Sequence, residues 1–271
     1  MSVIVEHRPA NIADNLRERT PAAPGRIQLI DPTSDPQWDT IVQALGGGSF
    51  FHTTAWARVL VDSYGYVPRY FTAFEGDTPV AALPMMEVDS LLTGRRGVGL
   101  PFSDFCDPLF LSPEAGHHVL DAAISHGRTR GWRYLELRGT GNLLPNAPAS
   151  ARYYGHTLRL EADFGKLFAG FEGSVRRAIR KAERAGVTTE ISRELQALRE
   201  FYQLHCRTRR RHGLPPQPFR FFERIHEHIL RPGQGFVVTA RWQGSPIAAA
   251  LFGHTAREHR DSGQQHAPLT P

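Results

Sequence analysis

Tyr70 to Ala82 reads YFTAFEGDTPVAA, and the chain returns to the same pattern at Val237 to Ala249, VVTARWQGSPIAA. Laid together without a gap, Thr72 meets Thr239 and Ala73 meets Ala240, while Pro79, Ala81 and Ala82 meet Pro246, Ala248 and Ala249. Thr78 faces Ser245, and Val80 faces Ile247. Each copy is an apolar run, a turn containing glycine and a second apolar run, which is how a β-hairpin reads. Two unrelated hairpins would share only a generic turn. Here the match runs on into both arms, and we read it as an internal repeat.

A helical stretch precedes each copy. Thr54 to Tyr64 (TAWARVLVDSY) is closed by Gly65, and Leu195 to His212 is closed by Gly213. A helix feeding an antiparallel hairpin, twice in one chain, predicts an α+β unit that has been duplicated.

With 271 residues the chain fits two domains, or one large one, at about 150 residues per domain. A hydrophobic fraction of 41% suffices for a packed core. Two cysteines, Cys106 and Cys206, make neither a disulfide framework nor a zinc cluster. The N-terminus carries acids and arginines early and has no continuous apolar run, so no secretory signal is expected. No stretch nears the roughly 18 apolar residues of a membrane span. The expectation is a soluble cytoplasmic protein with free thiols. A formal charge of +5 favours anionic partners such as phosphates, nucleotides, RNA or acidic glycans, and equally allows a protein that is merely basic. The thirteen histidines include no H-E-x-x-H, and His226 and His228, two apart on a helix, point to different sides. No metal site is expected.

In chain order, residues 1–26 are polar and read as a flexible tail. A strand starts at Ile27, and a short helix over 35–45 stops at Gly46-Gly47-Gly48. The text from Gln43 to Gly48 matches a Q-x-x-G-x-G phosphate loop. Such a loop works only between a strand and a helix N-terminus. Here a helical stretch precedes it, so it reads as a helix stop. Val98 to Phe110 is apolar but broken by Pro101, Asp104 and Pro108, and predicts an irregular strand. Ser112 and Pro113 open a helix whose inner stripe is Leu120, Ala123, Ile124 and Gly127. Strands follow at 132–137 and 153–160, then a short helix over 164–171. Ser174 to Gly186, SVRRAIRKAERAG, is a helix with Ser174 as N-cap and Gly186 as its C-terminal stop. Arg176, Arg180 and Arg184 stack at i, i+4 and i+8, a spacing at which like charges repel. An anion, acidic neighbours or plain solvation must offset that. The helix from Leu195 ends in a run of arginines that complements its dipole. Phe219 to Leu230 is a further helix and Phe236 to Phe252 the second hairpin. Gly253 to Pro271 has almost no apolar residues.

These stretches resemble the Fem-type branch of the GNAT acyltransferase superfamily, whose members include peptidoglycan interpeptide-bridge enzymes and relatives in polysaccharide export clusters. The resemblance rests on Phe51 to Trp56, Leu100 to Asp104, Ser174 to Gly186, Thr208 to Pro215 with Phe221-Phe222 beyond it, and Gly244 to Ala249. It implies an α+β fold of tandem GNAT-like halves, each a mostly antiparallel sheet flanked by helices. The halves would be 27–163 and 164–252, between tails at 1–26 and 253–271. Members of the family continue past the second hairpin into further strands and a helix. This sequence has an unrelated tail there, so the second half is expected to be incomplete, the chain truncated or frameshifted, and transfer weak or absent.

The chemistry implied is acyl or aminoacyl transfer to an amine of a cell-envelope or glycan-linked acceptor. The donor would be acyl-coenzyme A or aminoacyl-tRNA. Such a reaction needs its partners oriented, a proton removed and an oxyanion stabilised. No G-x-S-x-G elbow is present, and no dedicated nucleophile is expected. Asp104 is the candidate polar group of the groove, with a turn or capping carboxylate as the alternative. His52 is the candidate base, against a surface or helix-start role, and Tyr154 is a candidate groove wall, against core packing. Arg176, Arg177 and Arg180 are the candidate binders of an anionic small molecule or glycan precursor, or of tRNA, where one half of the chain gives way to the next. The alternative function is a non-catalytic anion- or RNA-binding protein.

Overall fold

The computed structural model describes residues 2–6, 25–103, 106–139, 143–144, 149–151, 158–160 and 162–255. It forms two compact units, Met1–Tyr154 and Gly155–Pro271. The division comes earlier in the chain than the boundary at 163/164 that the sequence suggests.

The first unit runs β1 (Ser2–Glu6), β2 (Arg26–Ile30), α1 (Trp38–Ala44), α2 (Thr54–Tyr64), β3 (Val67–Pro68), β4 (Tyr70–Glu75), β5 (Thr78–Leu83), β6 (Met86–Val88), β7 (Arg96–Val98), β8 (Leu109–Phe110), α3 (Pro113–Arg130) and β9 (Tyr134–Arg138). One sheet has the order β2-β4-β5-β8 and the other β1-β9-β7-β6-β3. The strand pairs are antiparallel except β7 with β9, which run parallel. The irregular strand expected over 98–110 is split: β7 ends at Val98 and β8 begins only at Leu109. The expected tail is not uniform: Ser2–Glu6 pairs with β9, and 7–24 lies outside the described residues.

Local sequence sets these elements. Thr53 caps α2 by accepting a hydrogen bond from the Trp56 amide, and Gly65 ends it at φ 69°. Gly46 and Gly47, at φ 93° and 78°, stop the chain after α1, as the sequence predicts. Ser112 caps α3 through the Ala115 amide at 3.2 Å, with Pro113 at the first helical position. The buried stripe of α3 is Gly116, Val119, Leu120, Ala123 and Gly127. It meets Phe71, Ala73, Ala81 and Leu83 of the sheet, with Trp132, Leu135 and Leu137 completing the core.

The second unit runs α4 (Phe164–Gly170), α5 (Gly173–Arg184), β10 (Thr188–Ser192), α6 (Leu195–Arg211), α7 (Phe219–Ile225), which continues as a π-helical turn over His226–Leu230, then β11 (Gly235–Trp242) and β12 (Ser245–Gly253). Its sheet is β10-β11-β12, all antiparallel. Helix α5 opens two residues earlier than expected, with Glu172 rather than Ser174 at its N-cap. Ser174 is already inside the helix, and its hydroxyl donates to the Glu172 carboxylate at 3.4 Å. The C-terminus is as expected: the amides of Gly186 and Val187 close back on the carbonyls of Glu183 and Ala182.

The repeat is structural down to its register. Thr72 pairs with Ala82 and Ala73 with Ala81, and the ladder then slips before Phe74 pairs with Pro79. In the second unit Thr239 pairs with Ala249 and Ala240 with Ala248, and the same slip precedes Arg241 with Pro246. The preceding strands agree as well, since Gln28 lies opposite Thr72 as Glu190 lies opposite Thr239. Only the turns differ. In the first, Gly76 alone has positive φ; in the second, Gln243 and Gly244 both do, as a type I′ turn requires. One correction follows for the flanking helices. The helix immediately before the second hairpin is α7, not 195–212. Apart from the two-residue β3, which pairs in the other sheet, β2 to β5 and β10 to β12 both run strand, helix, helix, strand, strand, so α7 matches α2 and α6 matches α1.

Candidate functional site

In the first unit the strands β7 and β9 lie side by side only briefly. Gly97 pairs with Leu135 and Val98 with Glu136, and the Gly99 amide donates to the Glu136 carbonyl at 2.8 Å. Beyond that rung the chain leaves the ladder through two residues that are not glycine yet have positive φ, Leu100 at 42° and Phe102 at 62°. Such conformations cost about 1 to 3 kcal/mol each and persist only where the surroundings enforce them. Leu100 is fully buried. Its carbonyl accepts from the Ser103 hydroxyl at 2.6 Å, and the Ser103 carbonyl accepts from Arg138 at 2.7 Å. Arg138 is itself braced by Glu136 at 2.9 Å. Phe102 stacks on Tyr64, and Tyr64 on Tyr66, with ring centres 5.2 and 5.1 Å apart. Burial and the neighbouring Tyr66 push the Tyr64 phenol up to about 12, so it stays neutral at ordinary pH.

This loop is gripped at its far end by His52. The buried imidazole has both nitrogens engaged. Nε2–H donates to the Asp107 carbonyl at 2.9 Å, and Nδ1 accepts from the Ser49 amide at 3.1 Å. The Trp38 indole donates to the His52 carbonyl at 2.6 Å. Burial lowers the pKa of His52, against the raising effect of its backbone partners at Asp107 and Ser49. With both ring nitrogens held, His52 has no free nitrogen for the base role expected of it, and it grips the loop backbone at Asp107. Asp104, the residue this loop carries, lies outside the described residues, as does Tyr154. Cys106 is buried, which raises its thiol well above the usual range and makes it a poor nucleophile.

In the second unit Arg176, Arg177 and Arg180 share α5. The Nε of Arg176 is buried with no hydrogen-bond partner. Arg180 lies over the Phe168 ring of α4, 5.5 Å from its centre, and Phe168 in turn stacks near the exposed Phe164. Among the described residues no carboxylate lies within ion-pair distance of these three arginines. Of the offsets that the charge spacing requires, acidic neighbours are thus not found there.

A second arrangement in this unit went unread in the sequence. Side chains one helical face apart on α6 hold the loop leading to α7. Arg209 forks onto the Pro215 carbonyl through Nε and a terminal nitrogen at 3.1 and 3.0 Å. The Tyr202 hydroxyl donates to the Gln217 carbonyl at 3.1 Å, and His205 meets the Gln217 side chain at 2.9 Å. The signal was the spacing of Tyr202, His205 and Arg209 at i, i+3 and i+7, which the arginine run at the helix end obscured. Among the described residues no helix is long and apolar enough to cross a membrane, and no group of three or more His, Cys, Asp or Glu is placed to hold a metal ion.

Comparison with known proteins places this architecture. Residues 169–259 match the acetyltransferase (GNAT) domain family. Among solved structures the chain is similar to the crystal structure of FemX, at 16% identity and a TM-score of 0.54. The likeness covers 80% of this chain and 58% of that one, so the protein spans little more than half the length of the structure it resembles. No curated protein matches it in sequence. The fold is similar to that of FemX, with two similarly built α+β units, and the GNAT domain match falls in the second.

Proposed function

We propose that the protein moves an acyl or aminoacyl group onto an amine, with a phosphate-bearing substrate held by Arg176, Arg177 and Arg180. The amine nitrogen attacks an ester or thioester carbonyl. A C–N bond forms, the C–O or C–S bond breaks, and the amine proton leaves to a base. Asp104 is the proposed acceptor of that proton, and Tyr154 a wall of the groove. The grip of Arg138 on Ser103 and of His52 on Asp107 supports this reading, because it fixes the backbone on both sides of Asp104. The cell-envelope or glycan-linked nature of the acceptor, and a cytoplasmic place of action, are part of the proposal. So is the donor, acyl-coenzyme A or aminoacyl-tRNA.

The observation that carries the reading is the arginine face of α5, inside the GNAT match and without acidic partners among the described residues. Guanidinium forks suit phosphate oxygens. Titration of coenzyme A, a nucleotide-linked glycan precursor and tRNA, at low salt, tests it. The Arg176→Gln/Arg180→Gln protein should bind at least one of them about tenfold more weakly, with unchanged circular dichroism. Equal affinities would overturn the anion site. The stacking of Arg180 on Phe168 beside the exposed Phe164 favours a second reading, RNA binding without turnover. It predicts affinity for RNA that falls steeply with salt, and no transfer product.

A further inference from the structure

The turn from β6 to β7 in the first unit carries a feature that its fold does not use. Asp89 to Arg96 reads DSLLTGRR. The Gly94 amide closes the turn onto the Ser90 carbonyl at 2.7 Å, with Gly94 at φ 74°. Leu91 and Leu92 stand at the apex. They are the two most exposed large hydrophobic side chains among the described residues, Leu91 fully and Leu92 by 93%. A turn kept for its shape alone takes Asn, Asp, Ser or Gly at such positions. Two adjacent leucines held in water add nothing to the core, and an exposed apolar feature of this kind marks a surface that takes it up. Arginines ring the tip. Arg95 bonds Asp89 at 2.7 Å and the Arg130 carbonyl, at the end of α3, at 3.1 Å. Arg96 donates to the Thr93 hydroxyl. The Arg133 amide bonds the Arg95 carbonyl at 2.9 Å, and its guanidinium reaches the Thr93 carbonyl at 3.5 Å. Of the carboxylates bonded to this collar, Asp89 is taken by Arg95 and Glu87 is buried beneath Arg130, so the charge around the leucines is positive.

We propose that this turn docks the protein on an anionic lipid surface, with Leu91 and Leu92 among the acyl chains and Arg95, Arg96 and Arg133 at the headgroup phosphates. The shape of the tip selects that partner. A specific protein interface buries about 800 Å² on each side against a matching surface. A two-residue apex offers far less, whereas a fluid bilayer closes around it. Apolar insertion and attraction to anionic headgroups add to each other, and stable attachment takes both. Arginine suits the boundary, because its stem lies along apolar surface while its head stays at the phosphates. Attachment of this kind needs no membrane-spanning helix, and it stands apart from the acyl-transfer reading.

Flotation of the full chain with lipid vesicles tests this. At low salt the wild-type protein should float with vesicles of phosphatidylcholine and phosphatidylglycerol in equal parts, and much less with phosphatidylcholine alone. Leu91→Ser/Leu92→Ser leaves the net charge unchanged and removes no buried contact, so circular dichroism should not change. It should weaken binding to the mixed vesicles at least about tenfold. Arg96→Gln/Arg133→Gln should weaken it by about the same factor and reduce its dependence on salt. If the arginine pair fails to fold, the serine pair decides alone. A wild-type protein that does not float with the mixed vesicles would overturn the proposal. So would a serine variant that binds them as tightly as the wild type, since attachment would then rest on charge alone, as the arginine face of α5 could supply.

Discussion

Strands β4 and β11 occupy the same place in two copies of one unit, yet they are buried differently. From Tyr70 to Phe74 every residue of β4 is buried. Along β11, Gly235, Val237 and Thr239 are buried, whereas Phe236, Val238 and Ala240 are half-exposed. The helix side is closed in both units. The other side is closed in the first by α3 and left open in the second among the described residues. The side chains differ accordingly. Phe71 and Leu83 meet across the first hairpin where Val238 and Ala250 meet across the second. The pairing pattern is thus a property of the backbone and turn, and survives whether or not a face is covered. Side-chain size follows what lies on top.

That contrast can be broken by mutation. Phe71→Ala should destabilise the first unit by about 3 to 5 kcal/mol, because it opens a cavity under α3. Val238→Ala, at the matching place, should cost less than about 1 kcal/mol, since the site is already half-open. Urea unfolding followed by a probe in each unit measures both, and equal costs would mean the second face is covered after all.

The charge networks sharpen the same comparison at smaller amplitude. Glu87 is buried in the first unit, where it accepts from the Arg130 fork and from the Trp132 indole at 2.7 Å. Burial alone would raise its pKa, but these donors outweigh it and hold the carboxyl at about 2. A carboxylate with a depressed folded pKa gives stability that is present above its unfolded value, near 4.3, and lost as pH falls through about 2. Glu87→Ala should cost about 2 to 3 kcal/mol at neutral pH and flatten that acid limb. In the second unit Arg241 is shared between Glu190 and Glu200, with Glu190 largely exposed. Glu190→Ala should have a much smaller effect, with no change in the acid limb of the first unit.

Most of the architecture was legible before the structure. The repeat was readable because hairpins are specified locally, by Pro79 and Pro246, by the turn glycines and by the alanines that follow. The caps of α2 and α3 were readable for the same reason. What escaped the sequence was non-local. Nothing in Leu100-Pro101-Phe102 announces positive φ, which is imposed by Arg138 and by the packing of Leu100. The engagement of His52 depends on the Asp107 carbonyl, far along the chain. The pairing of α7 with α2 was missed because α6, longer and ended by Gly213, looked the better match. The arginine face of α5 was legible as a pattern, but its lack of carboxylate partners among the described residues needed coordinates.

The account rests on two equivalent sheets that differ in what closes them, and amide exchange at one pair of positions tests it most directly. Ala82 and Ala249 occupy the same register, the first against β8 and the second with no further strand beside it among the described residues. The Ala249 amide should exchange at least about a hundredfold faster than that of Ala82. Exchange at Ala249 as slow as at Ala82 would contradict it.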